Sequence, residues 1–79
     1  MAASRLQELV QVRSWSRNGD ARAARVASGL RLGEVAEVVG VAPTTIWRWE
    51  CGKRAPQGEP ALRYFEVIKG LLANGGSAQ

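Results

Sequence analysis

Residues 29–56 read GLRLGEVAEVVGVAPTTIWRWECGKRAP, and this stretch decides the fold. Leu32, Val35, Ala36 and Val39 fall on one face at the helical period, which predicts a short helix over residues 32–39. Gly40 stops it in a turn that favours positive φ, and hence glycine. Pro43 suits the first position of a helix, where a missing N–H is tolerated, so a second short helix is predicted over residues 43–50. Two such helices joined by a tight, Gly-containing turn make a helix-turn-helix over residues 32–50. Small Ala36 lets the two helices approach closely, and Val41 and Ile46 supply apolar pins across the turn. The segment from Cys51 to Glu59, with Gly52, Pro56 and Gly58, reads as a loop.

Outward from this motif, the punctuation marks three more helices. Asp20 is placed to cap a helix over residues 21–28, rich in Ala and Arg, with Gly29 as its stop, so the helical core runs over residues 21–50. Ser4 with Gln7 three residues later reads as a capping box. It opens an extra N-terminal helix over residues 4–17 that carries Leu6, Leu9, Val10 and Val12 towards Trp15 and ends at Asn18-Gly19. Pro60 opens a last helix over residues 60–73, with Ala61, Leu62, Phe65, Ile68, Leu71 and Leu72 mostly three or four apart, and residues 74–79 read as a flexible tail. No alternating strand pattern competes, and the expectation is a single all-α domain over residues 1–79, a small four- to five-helix bundle.

The 79 residues suffice for one small core, and an apolar fraction of 46% is ordinary for a globular chain. There is no histidine and one cysteine, which removes histidine-based metal sites, Ser-His-Asp and Cys-His catalysis, zinc fingers and an internal disulfide. No cofactor and no metal are expected. Glu34 and Glu37 simply sit one turn apart on a helix and form no acid/base constellation with Glu50, so an enzyme is the least favoured class. No stretch approaches the roughly 18–20 apolar residues of a membrane span, and the N-terminus lacks the apolar core of a secretory signal, so no membrane partner and a cytoplasmic location are expected.

Net charge is +4, with 11 Lys and Arg against 7 Asp and Glu. The surplus is concentrated, since both ends are balanced. Arg13, Arg17, Arg22, Arg25, Arg31, Arg48, Lys53 and Arg54 in the centre face only Asp20, Glu34, Glu37 and Glu50. An arginine-dominated surplus suits phosphate binding, although a solvated basic face would look the same.

Glu34-Val35-Ala36, Gly40-Val41, Thr45-Ile46, Arg48-Trp49-Glu50, Gly52, Lys53-Arg54 and Pro56 resemble the Cro/C1-type (XRE-like) helix-turn-helix DNA-binding proteins of phages and bacteria. With flanking helices the resemblance covers roughly residues 22–72, and the Trp-Glu-x-Gly-x-x-x-Pro run makes it fairly specific. It implies a lambda-repressor-like domain in which helix 43–50 enters the DNA major groove while helix 32–39 lies across the backbone. Carried over by position, Pro43, Thr44, Trp47 and Arg48 face the bases. Arg48 can fork onto guanine O6 and N7, and the Thr44 methyl and the Pro43 ring can touch thymine methyls. Arg31, Thr45, Lys53 and Arg54 suit phosphate contacts. Ala36, Gly40, Ile46, Trp49 and Glu50 are structural, and Arg25 falls where a family arginine pairs with the carboxylate at Glu50. Trp47 and Trp49 lie about 200° apart around a helix and cannot share a face, and in the resemblance Trp49 turns inward. Two positions depart from the family pattern: Arg31-Leu32 replaces a hydroxyl cap followed by Gln, and Ala42 replaces the cap before helix 43–50.

The leading expectation is a sequence-specific, Cro-like or repressor-like regulator of transcription. One short recognition helix makes too few contacts for high affinity alone, so a homodimer on a palindromic operator is expected, with half-sites about 34 Å apart. Its surface could be the last helix, around Tyr64, Phe65, Ile68 and Leu72, or the N-terminal one. The chain as given leaves no room for a separate ligand-sensing domain, which favours control by concentration, by competition at overlapping operators or by proteolysis. Two alternatives stand beside it. An antitoxin would hold a small protein partner through helix 4–17, and a helical interaction adaptor would have kept the fold without binding DNA.

Overall fold

The computed structural model describes the backbone of residues 2–77 and the side chains of residues 4–74. It is an all-α bundle of five helices: α1 (Ala2–Asn18), α2 (Asp20–Ala27), α3 (Leu32–Val39), α4 (Pro43–Glu50) and α5 (Gly58–Ser77). Among the described residues there is no strand.

Helices α3 and α4 coincide with the two predicted for the motif, and the chemistry of the turn fixes both ends. Gly40 takes φ +87°, and the N–H groups of Gly40 and Val41 both end on the Ala36 carbonyl, at 2.7 and 3.0 Å. From α5, Arg63 Nε donates to the Val39 carbonyl at 2.8 Å, satisfying another acceptor at the same helix end. At the start of α3 the Glu34 carboxylate accepts the Arg31 N–H at 2.8 Å. This is the reciprocal half of a capping box, and it persists although arginine offers no acceptor for the other half.

The flanking boundaries differ from the sequence reading. Helix α1 begins at Ala2, so Ser4 lies within its first turn and cannot cap it from outside. Asp20 is the first residue of α2 and not its cap. Gly19, at φ +92°, reverses the chain in one residue, and the Asp20 N–H is taken by Asn18 Oδ1 at 2.9 Å. Helix α5 opens at Gly58, two residues before Pro60, because proline is tolerated anywhere in a first turn whose N–H groups need no helical acceptor. The same helix runs through Asn74–Ser77, where a tail is expected from composition. The remainder of that tail, residues 78–79, lies outside the described residues.

The core gathers Val12 of α1, Ala21 and Ala24 of α2, Val35, Ala36 and Val39 of α3, Ile46 and Trp49 of α4, and Ala61, Tyr64 and Ile68 of α5. Tyr64 and Ile68 are fully buried within the chain, which removes them from any surface between two copies. Trp49 packs on Tyr64 with ring centroids 4.8 Å apart, and Trp15 stacks on Phe65 at 5.4 Å. Ala21, Ala24, Ala36 and Ala61 are the small members of this core, and burial of the larger residues supplies roughly 1.5–3 kcal/mol each.

Candidate nucleic-acid interface

Helix α4 divides its side chains cleanly. Ile46, Trp49 and Glu50 point inward, and Trp49 is 4% exposed. Pro43, Thr44, Trp47 and Arg48 are exposed, Trp47 by 44%, and Thr45 is half-buried. Residues at 43, 44, 47 and 48 share one helical face, so a polar hydroxyl, an indole and a guanidinium are presented together on the side away from the core.

What holds that face still is a set of contacts to the opposite side of α4. The Arg25 guanidinium forks onto Glu50, with Nε 2.6 Å from Oε2 and Nη2 3.0 Å from Oε1, and its Nη1 donates to the Leu30 carbonyl at 2.8 Å. The carboxylate beside it pushes the Arg25 pKa up still further, against the burial that would lower it. A bidentate pair fixes orientation as well as distance, so α4 is tied to α2 in one rotation. The Ser16 hydroxyl of α1 donates to the Trp49 carbonyl, which ties the end of α4 to α1 as well.

The chain leaves α4 through a Schellman motif. Gly52 takes φ +72°, its N–H bonds the Trp49 carbonyl at 3.2 Å, and the Lys53 N–H bonds the Arg48 carbonyl at 2.9 Å. This turn brings Lys53 back beside the outward face of α4, with its ammonium 5.8 Å from the centre of the Trp47 ring. Arg54 follows it, exposed. Arg31, exposed, precedes α3 at the other end of the motif, and Cys51 is exposed and unpaired. Thus Thr44, Trp47 and Arg48 share a face on which Lys53 meets Trp47, whereas Arg31 is the residue before α3.

Three positioning contacts escape sequence reading: Ser16 on the Trp49 carbonyl, Arg13 Nε on the Pro56 carbonyl at 2.9 Å, and Arg63 on the Val39 carbonyl. Each acceptor is main chain, so no residue type marks the receiving position.

Two short helices fixed about a tight turn, with the second offering an outward polar and basic face, define a helix-turn-helix protein. The profile of the helix-turn-helix domain family matches residues 20–67, more than half of the chain, and the chain belongs to that family. Such domains are typically DNA-binding and non-enzymatic. No curated protein and no solved structure matches the chain. The matched region begins at Asp20, so α1 lies outside it. No helix of the described residues is long and apolar enough to cross a membrane.

Proposed function

We propose that this protein is a sequence-specific, double-stranded DNA-binding regulator of transcription of the Cro/C1 (XRE-like) type, which places α4 in the major groove of an operator. The observation that carries this reading is the outward face of α4, where Thr44, Trp47 and Arg48 are exposed on a helix whose other side is locked by Arg25, Glu50 and Trp49. In this reading Arg48 reads guanine, Pro43, Thr44 and Trp47 touch base edges and thymine methyls, and Arg31, Thr45, Lys53 and Arg54 hold phosphates. A rigid reading face costs less ordering on binding than a mobile one, which is what the buried ion pair contributes. The protein acts as a homodimer on a palindromic site, because eight residues of recognition helix contact too few base pairs alone.

The test is titration of fragments of the protein's own upstream DNA at several salt concentrations, with excess unrelated duplex as competitor. Saturable, competitor-resistant binding at two chains per site is the expected result. Weak binding erased by moderate salt would reduce the basic centre to generic charge and favour a protein-interaction role.

A further inference from the structure

The C-terminal half of α1 and the loop after α4 meet in a small notch, about 120 Å³, lined by Arg13, Ser16, Arg17, Gly52, Arg54 and Ala55. Arg13 and Arg17 are four residues apart on α1 and therefore project from one face, while Arg54 arrives from the loop. Their convergence is fixed by the Ser16 hydroxyl on the Trp49 carbonyl and by Arg13 Nε on the Pro56 carbonyl. Arg13 spends only Nε there, and its two terminal nitrogens keep their donors. Arg17 and Arg54 are exposed, and neither forms an ion pair or side-chain hydrogen bond among the described residues. Three arginines and no carboxylate line the notch, so its charge suits an anion. The notch adjoins the loop that carries Lys53, whose ammonium lies over Trp47, and Arg54 is the next residue of that loop.

We propose that this notch binds a backbone phosphate of the duplex held by α4, so that α1, outside the matched family region, contributes a phosphate clamp through Arg13 and Arg17. The proposal rests on the DNA-binding reading above. Guanidinium forks fit a phosphate bidentately, and the notch is sized for one phosphate group and offers nothing that selects a base. It therefore adds affinity and registers the protein on the duplex without adding sequence preference.

The deciding variant is Arg17→Gln, because Arg17 makes no hydrogen bond or ion pair with the described residues; Arg13→Gln also removes the bond to Pro56 and serves as a second variant. Full-length proteins would be titrated with operator and unrelated duplexes across a salt series, with phosphate-ethylation interference mapped in parallel. The clamp predicts that Arg17→Gln flattens the salt slope for both duplexes, by about 0.9 at most because one phosphate is held, and weakens one interference position, with base preference unchanged. A wild-type slope and interference pattern in Arg17→Gln, with or without a lower Tm, would overturn the clamp and leave Arg17 as a charge complementing the C-terminus of α1. If the wild type bound all duplexes alike while Arg17→Gln still flattened the slope, the clamp would stand and the sequence-specific reading would fail. Absence of any duplex binding by the wild type would overturn both.

Discussion

At Arg25 and Glu50 a guanidinium and a carboxylate are held nearly out of water, with 12% and 2% of their side chains exposed. Arg25→Ala leaves the carboxylate buried and unpaired, and a loss of about 3–5 kcal/mol is expected in urea unfolding, whereas the double change Arg25→Met with Glu50→Leu should recover most of it. Tyr64 is a different case, since its hydroxyl is buried with no hydrogen-bond partner among the described residues, and burial and then the nearby Glu50 push its pKa well up. Tyr64→Phe is expected to stabilise by about 1 kcal/mol near neutral pH by deleting an unsatisfied group. The neutral phenol is favoured in the folded state, so its contribution is intact below the unfolded value of about 10 and is lost as pH rises from there towards the folded value. Wild type should therefore lose Tm above that pH more steeply than Tyr64→Phe. On the recognition face, Arg48→Ala should cost about 1–3 kcal/mol of operator affinity and relax one base pair, while Lys53→Ala should weaken every sequence alike and flatten the salt slope; binding to a mapped operator and its point variants checks both. Helical period says that Trp47 and Trp49 face apart, and Ile46, three residues before Trp49, marks the inward side; the partner ring that receives Trp49, Tyr64, lies fifteen residues on and no local pattern names it.

At the scale of helices, Ala42 precedes α4 in extended conformation, at φ −71° and ψ 149°, and offers no side-chain acceptor to the first N–H groups. Ala42→Ser supplies one where the backbone already fits it. A gain of about 1 kcal/mol is expected, read as a rise in Tm of roughly 4–8 °C. The motif helices were legible because Gly40 and Pro43 punctuate them and Leu32, Val35, Ala36 and Val39 keep period. The ends of α1 and α5 were less so, because Ser4 and Asn74-Gly75-Gly76-Ser77 carry residue types common at caps and tails, and local propensity yields where a long helix continues past them. The turn between α1 and α2 is set by Gly19 and by a carboxamide two residues from the N–H it accepts, so its chemistry lies one residue away from the Asp20 signal.

Over the whole chain, Trp15 and Phe65 stack fifty positions apart, and Val12 shares a core with Tyr64 and Ile68. α1 is translated before α5 and waits for it. Until residues near Ile68 emerge, a nascent chain carries the apolar side of α1 uncovered, and the reading face of α4 lacks the wall behind Trp49. Closing such long-separation contacts is the slow part of assembly. Chains stalled before Ala61 are expected to stay protease-sensitive throughout α1 and α4, with protection appearing together once α5 is free of the tunnel. Protection of α4 in chains stalled before that point would show that the helix-turn-helix assembles without its C-terminal wall. Joint protection would mean that a chain lacking α5 never presents an ordered outward face on α4.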